Sequence, residues 1–235
     1  MPRLATGLAA GTDACLTDVR QQGRWYPHPV DGRRVHHLGT MDDPVLAHRP
    51  PRSDQQRTIE IVSYDPTWPR LFRKLGATLR GALGDVAVRI DHIGSTSVPG
   101  MAAKPIIDVQ ISVRSFQPLE AFKQPLERLG YVYRADNTER TKRYFREPPG
   151  SRRTHIHVRR AGSFSEQWAL LFRDYLRTQP EVGADYIALK RRLAAQFPHN
   201  GAAYTDAKGP FLWEVIRRAD GWAQAQGWMP GPTDA

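Results

Sequence analysis

Cysteine is almost absent from this chain of 235 residues, in which Cys15 is the only one. A single cysteine excludes an internal disulfide framework and a zinc cluster built from cysteines, and it is typical of proteins in a reducing compartment. No apolar run approaches the roughly 18 residues that a membrane helix needs. The N-terminus lacks the basic and then apolar layout of a secretory signal. We therefore expect a cytoplasmic protein with no membrane association.

Two catalytic motifs are also missing. Without a GxxxxGK[ST] loop the chain is not a P-loop kinase, and without a GxSxG elbow a serine hydrolase is not indicated. Acidic residues are outnumbered, since 34 Lys and Arg face 24 Asp and Glu. This excess favours an anionic partner, but no nucleic-acid recognition motif accompanies it. We therefore expect a nucleotide or other phosphorylated small molecule as the partner, and not nucleic acid.

Hydrophobic periodicity divides the chain into three parts. Residues 1–56 show no sustained period and are rich in Pro, Gly, Arg, His and Asp, which predicts a disordered or loosely packed extension. Residues 57–222 begin with a short strand at Ile59 to Ser63, continue with alternating strand and helix patterns, and end in helices. This order predicts one α+β domain with a mixed sheet, flanking helices and a C-terminal helical segment. We expect residues 223–235 to form a flexible tail.

One apolar strand carries an acid in its middle. In IIDVQISV, residues 106–113, alternation places Asp108 and Gln110 on one face and the aliphatic residues from Ile107 onward on the other. An unpaired buried carboxylate is strongly disfavoured. Asp108 must therefore have a structural partner, lie at a cleft, or bind a cation, and the strand alone does not decide between these.

The turn before this strand suits a phosphate. Gly94 permits close approach of the backbone, while Ser95, Thr96 and Ser97 supply hydroxyl and N–H donors. Most Gly-Ser runs are ordinary turns, so the motif is weak by itself. Lys104 follows just before the strand and adds a cation.

Five motifs in order carry a family resemblance: HIGSTSVPGMAAKPIIDVQISV, THIHV, FRDYLR, YIALKRRLA and AYTDAKGPFLWEV. Over about residues 58–218 the chain resembles the GrpB family, which is similar to the nucleotidyltransferase superfamily. The resemblance implies a nucleotidyltransferase-like mixed sheet, a phosphate-binding turn at Gly94 and Ser95, and a first metal-binding acid at Asp108. Some members are appended to dephospho-CoA kinases, which implies a link to the coenzyme A pathway.

Gln110 stands where the superfamily has its second acid. A neutral amide cannot neutralise a dication, which puts a two-magnesium mechanism in doubt. His155 and His157 share one face of another predicted strand. If that strand lies beside Asp108, the three side chains are a plausible set for Zn²⁺, Mn²⁺ or Fe²⁺. The alternatives to metal binding are that the two histidines form hydrogen bonds, contact a phosphate or lie at the surface.

The remaining candidates are polar or basic residues near the matched motifs. Lys208 precedes Gly209 and Pro210 at a predicted helix start, where an ammonium group and the helix dipole point at the same anion. Lys190 lies on a predicted helix, where a solvated lysine is the ordinary outcome. The predicted nucleotide or phosphate ligands are Gly94, Ser95, Thr96, Ser97, Lys104, Arg146, Lys190 and Lys208.

Two functions follow from these predictions. In the first, the protein transfers a nucleotidyl group from a nucleoside triphosphate to a small-molecule or protein acceptor. One divalent metal (Mg, Mn or Zn) would be bound by Asp108, Gln110, His155 and His157, and Asp108 and the two histidines would be catalytic. In the second, the same cleft binds a nucleotide or a coenzyme A-like phosphate without chemistry, as a regulatory or folding-assisting accessory domain.

Overall fold

The computed structural model describes residues 58–235, so the extension predicted over residues 1–56 lies outside the described residues. The described part contains α-helices with these bounds: α1 Trp68–Leu83, α2 Glu120–Arg128, α3 Phe164–Thr178, α4 Pro180–Gln196, α5 Gly201–Asp206 and α6 Gly209–Gln226. Its strands have these bounds: β1 Arg89–Ile93, β2 Ile107–Val113, β3 Val132–Tyr133, β4 Lys142–Arg146 and β5 Thr154–Arg160. None of these helices is long and apolar enough to cross a membrane.

The strands form one mixed sheet in the order β1-β2-β5-β4-β3. The β2–β5 pair is parallel, and the other neighbouring pairs are antiparallel. Helices flank this sheet, and a helical segment follows it, which confirms the predicted α+β class. The strand predicted at Ile59 to Ser63 does not form, because only an isolated bridge joins Val62 to Ala103.

The sheet has one apolar face, which packs on α1 and α2. Val109 and Ile111 of β2 are fully buried there, and so are Ile156 and Val158 of β5. Phe72 and Leu79 face them from α1. Since side chains alternate along a strand, Asp108, Gln110, His155 and His157 emerge on the opposite face. The apolar core therefore determines which face is left for the polar residues.

A second cluster joins α3, α4 and α6. It contains Phe172 and Tyr175 of α3, Tyr186 of α4 and Val215 of α6, all buried. These aromatic residues recur at helical spacing and pack in the core, as their periodicity predicts. This cluster places the N-terminal part of α6 near the turn at Gly94, where the candidate site lies.

The residues predicted as a tail, 223–235, make defined contacts. Helix α6 continues to Gln226, and residues beyond it bond the edge of β1. The Ile90 N–H donates to Thr233 Oγ1 (2.9 Å), and the Ala235 N–H donates to the Ile90 carbonyl (3.1 Å). An edge strand has unpaired backbone groups that must find partners when covered, and this segment supplies them.

Candidate functional site

The β2–β5 register brings the predicted carboxylate and histidines together. Asp108 pairs with His155, and Gln110 pairs with His157. The His155 Nδ1 atom lies 3.1 Å from Asp108 Oδ1, and the His157 Nε2 atom lies 3.5 Å from the same oxygen. The juxtaposition predicted if the two strands were neighbours is therefore present.

The three side chains adopt the charge states of metal ligands. Burial raises the pKa of Asp108, but the hydrogen bonds from His155 and His157 outweigh it and hold that pKa below its usual range. Burial lowers the pKa of His157 to about 3, with the charge of Lys142 adding to the effect. Burial also lowers the pKa of His155. At neutral pH the group is thus one carboxylate with two neutral imidazoles.

The geometry of this cluster fits one divalent cation. One ligand atom from each of Asp108, His155 and His157 lies within 4.8 Å of the other two. Within residues 58–235, His155 Nε2 and His157 Nδ1 have no hydrogen-bond partner, so each imidazole can carry its proton on that outer nitrogen when a cation takes the nitrogen that faces Asp108. Each imidazole can thus present a lone pair beside the carboxylate. Two nitrogens and one oxygen favour Zn²⁺, Mn²⁺ or Fe²⁺ over Mg²⁺, which prefers oxygen.

Gln110, predicted as a metal ligand, has both polar side-chain atoms bonded to other groups. Its Oε1 atom accepts from Arg159 Nη1 (2.7 Å), and its Nε2 atom donates to the Glu166 carbonyl (3.3 Å). The residue is fully buried. The first of these bonds gives the buried Arg159 guanidinium an acceptor, so the amide acts as a structural partner of Arg159.

The turn at Gly94 lies directly against Asp108. Gly94 has φ +70°, and a Cβ atom built there would lie 2.6 Å from Asp108 Oδ2. In the 3₁₀ turn that follows, Thr96 Oγ1 donates to the Ile106 carbonyl (3.0 Å) and Ser97 Oγ donates to the Gly94 carbonyl (2.6 Å). The Ser97 hydroxyl thus closes the turn on itself and the Thr96 hydroxyl ties it to the residue before β2, while Ser95 is the hydroxyl that meets a lysine.

Ser95 accepts a hydrogen bond from one of the predicted lysines, Lys190. The Lys190 Nζ atom donates to Ser95 Oγ (3.1 Å) and to the Ala102 carbonyl (2.5 Å), and it is almost fully buried rather than solvated. Burial, and then the nearby charge of Lys208, lowers the pKa of Lys190 to about 7. Burial, and then Lys104, lowers the pKa of Lys208 to about 8. The Lys208 ammonium group is thus close enough to Lys104 and to Lys190 for repulsion.

Two tyrosines, which the sequence reasoning did not include, line this lysine cluster. The Nζ atoms of Lys104 and Lys208 lie 4.7 and 4.8 Å from the centre of the Tyr204 ring, and Lys190 Nζ lies 4.6 Å from that of Tyr186. Such contacts stabilise a desolvated cation. The sequence spacing could have predicted these contacts, because Tyr186 precedes Lys190, and Tyr204 precedes Lys208, by four residues.

Arg146, also predicted as a phosphate ligand, lies apart from the lysine cluster. It pairs with His155 across the β4–β5 ladder, on the histidine side of the sheet. Its Nε and Nη2 atoms each donate to a carboxylate oxygen of Glu147 at 3.1 Å. The structure thus divides the predicted cations between the two sides of Asp108.

Comparison with known proteins agrees with this arrangement of motifs. A family model described as GrpB protein matches residues 58–218. The chain belongs to the GrpB family. The solved GrpB protein of Enterococcus faecalis is 32% identical, with a TM-score of 0.63, and the match covers 69% of this chain and 99% of that one.

Two curated relatives of this GrpB chain are longer proteins. The UPF0157 protein YqkA of Bacillus subtilis (strain 168) is 35% identical over 171 residues, which is 73% of this chain and 50% of YqkA. A dephospho-CoA kinase of Mycolicibacterium paratuberculosis is 34% identical over an aligned length of 197, and the match covers 73% of this chain and 48% of the kinase. The chain thus spans about half the length of these two relatives.

In this GrpB chain, two consecutive residues join two different sets of side chains. Gly94 lies against Asp108 and therefore against the histidine pair, while Ser95 bonds Lys190 and therefore meets the lysine cluster. The turn thus joins a three-residue set that fits a cation to a lysine, Lys190, that is buried beside a second lysine, Lys208.

Proposed function

We propose that this protein binds a nucleoside triphosphate at the Gly94 turn and transfers its nucleotidyl group to a small-molecule or protein acceptor. One observation supports this proposal above all others. Gly94 lies against Asp108 of the Asp108, His155 and His157 set, and the next residue, Ser95, accepts a hydrogen bond from Lys190 of the lysine cluster. A triphosphate is a single ligand that needs both, since it carries several negative charges and is used together with a divalent cation.

The lysine cluster supports a ligand with several negative charges. Within residues 58–235, neither Lys190 nor Lys208 forms an ion pair with a carboxylate. Burying unpaired ammonium groups costs free energy, which an anion would recover. Lys208 also stands at the start of α6, where the helix dipole favours negative charge. The oxygens of a polyphosphate chain would lie among Ser95 and the ammonium groups of Lys104, Lys190 and Lys208.

The carboxylate and the two histidines support a role for a bound cation in the proposed reaction. Asp108, His155 and His157 would hold one divalent ion, which when bound supplies charge neutralisation at a phosphate oxygen. The chain's own residues would do the rest. Ser95 and Lys190 orient the phosphates, and Lys190 and Lys208 balance the charge of the departing pyrophosphate. Catalysis of this kind rests on positioning and on electrostatic stabilisation.

A second candidate keeps the ligand but not the reaction. The replacement of the second acid by Gln110, with both polar atoms committed to Arg159 and Glu166, favours it. In that case the domain binds a nucleotide or a coenzyme A-like phosphate as a regulatory or folding-assisting accessory. The match to half of a protein named dephospho-CoA kinase supports the coenzyme A side of this candidate.

Calorimetry and a label-release assay test both candidates. We would titrate ATP, CTP, GTP, UTP and coenzyme A with Mg²⁺, Mn²⁺ or Zn²⁺, and measure the release of labelled pyrophosphate from γ-labelled nucleotides. Lys190→Met should weaken binding at least about tenfold, because a charged contact to phosphate is lost. Lys74→Met, on the exposed face of α1, is the matched control and should bind as the wild type does.

The outcomes separate the two candidates. Release of pyrophosphate that Asp108→Asn abolishes supports nucleotidyl transfer. Binding of a nucleotide or of coenzyme A without release, under every metal, supports the accessory role and refutes the transferase. If no nucleotide and no coenzyme A binds, both candidates fail.

A further inference from the structure

Two arginines of α3 hold the two ends of the turn that carries Gly94 and Ser95. The Arg173 Nη1 atom donates to the His92 carbonyl (3.1 Å) before the turn. Arg177 donates from Nε (3.2 Å) and from Nη2 (2.9 Å) to the Ser97 carbonyl at the end of it. The two arginines are four residues apart, so they project from the same side of α3.

Asp174 connects the two arginines to each other. Its Oδ1 atom accepts from Arg173 Nε (2.7 Å) and from Arg177 Nη1 (3.3 Å). Its Oδ2 atom accepts from Trp228 Nε1 (3.2 Å), beyond the end of α6. These bonds involve all three charged residues of the FRDYLR motif, Arg173, Asp174 and Arg177. None of the three is among the proposed ligand contacts.

The C-terminal segment completes the network through Asp234. Its Oδ2 atom accepts from the His92 N–H (2.9 Å) and from Arg173 Nη1 (2.8 Å). Both backbone groups of His92 are therefore held by charged side chains. The Arg173 side chain is only 3% exposed, so its guanidinium depends on these acceptors for satisfaction.

The constraint on His92 reaches the interior of the turn. The His92 Nε2 atom lies 3.0 Å from Thr96 Oγ1, and the imidazole is stacked on Phe72 at 4.7 Å between ring centres. Thr96 in turn donates to the Ile106 carbonyl, two residues before Asp108. A shift of His92 would therefore be transmitted to the turn and to the start of β2.

We propose that Arg173, Arg177 and Asp234 are positioning residues for this turn, and that the C-terminal segment 228–235 thereby sets its affinity for polyphosphate. Their bonds go to the backbone of His92 and Ser97, whereas the ligand groups are Ser95 and the lysines. The ligand named here rests on the proposed function. The positioning role rests on the contacts alone.

Hydrogen–deuterium exchange of the wild-type chain and single variants tests the positioning role directly. Arg177→Gln and Asp234→Asn should each make amides of residues 92–98 exchange about tenfold faster, because a hydrogen bond to a charged group is lost at one end of the turn. Amides of β5 should exchange as in the wild type. The matched controls are Arg217→Gln on α6 and Asp185→Asn on α4, both exposed.

A pair of binding measurements links this local effect to function. Inorganic pyrophosphate should bind about tenfold more weakly to Asp234→Asn, because Ser95 is no longer held beside Lys190. Zn²⁺ should bind as to the wild type, because Asp108 and its histidines lie on β2 and β5. Asp234→Glu, which keeps the carboxylate, should recover part of the pyrophosphate affinity.

The outcomes are distinguishable. Unchanged exchange at residues 92–98 overturns the inference, and so does faster exchange spread evenly over the domain, which would mark a merely structural role. Loss of Zn²⁺ affinity in parallel with pyrophosphate affinity also overturns it. If the wild type binds no pyrophosphate, the proposed function fails, while the exchange experiment still decides the positioning role.

Discussion

Replacing Gly94 by alanine tests the closest contact in the site. Gly94 has φ +70° and ψ −174°, a conformation that is essentially restricted to glycine. An added Cβ atom would lie 2.6 Å from Asp108 Oδ2 and 3.1 Å from both Asp108 Cβ and Asp108 Cγ. Rotation of the carboxylate could relieve the first contact but not the other two, so the backbone or β2 would have to move.

The expected cost has two parts. The backbone conformation costs about 1–3 kcal/mol for a residue with a side chain. Overpacking against Asp108 adds about 1–3 kcal/mol. The resulting loss of about 2–6 kcal/mol in the free energy of unfolding is a large share of the 5–15 kcal/mol typical of a domain. Displacing Asp108 from the histidines should also weaken Zn²⁺ binding at least about tenfold.

Urea denaturation and Zn²⁺ titration of Gly94→Ala measure these two effects. Gly81→Ala is the matched control. Gly81 lies inside α1 with no atom within 4 Å of its added Cβ, so the change should raise stability by about 0.5–1 kcal/mol. If Gly94→Ala unfolds within about 1 kcal/mol of the wild type and binds Zn²⁺ equally well, the tight approach of the turn to Asp108 is refuted.

Three further predictions concern the side chains around the turn. Between pH 7 and the ordinary lysine value of 10.5 the unfolded chain keeps a proton on Lys190 that the folded chain has lost. This group should therefore make stability rise with pH there, and Lys190→Met should flatten that rise in urea denaturation at stepped pH. Gln110→Leu leaves the buried Arg159 guanidinium short of an acceptor and should cost about 2 kcal/mol in the same assay. His157→Ala should weaken Zn²⁺ binding at least about tenfold by calorimetry, whereas His199→Ala, an exposed control, should not.

Alternation along the strands predicted the polar face of the sheet correctly. It needs only the local geometry of a strand, in which Asp108 and Gln110 must share a side, as must His155 and His157. The same reasoning failed at Ile59 to Ser63, where alternation is present but the residues find only one bridge partner. A strand also needs a neighbour, and the local pattern does not show whether one exists.

Burial and long-range contacts explain the other differences. Lys190 lies on a helix whose sequence allows a solvated lysine, and only the packing of α4 against Ser95 and Ala102 buries its ammonium group. The tail residue Asp234 has no local pattern at all, because its partners are His92 and Arg173, far away in sequence. Contacts of this kind follow from the arrangement of elements, which period and propensity do not encode.

The sequence by itself determined which groups are available to the site and which of them face the same way, because glycine conformation, side-chain chemistry and strand alternation are local properties. The tertiary structure alone decided that β2 and β5 are parallel neighbours, so that Asp108 meets two histidines. It also decided that Lys190 bonds Ser95 while Lys104 and Lys208 meet over the Tyr204 ring, and that α3 and the C-terminal segment hold the turn between them. Those outcomes depend on how the apolar faces pack together, and packing is a property of the whole domain.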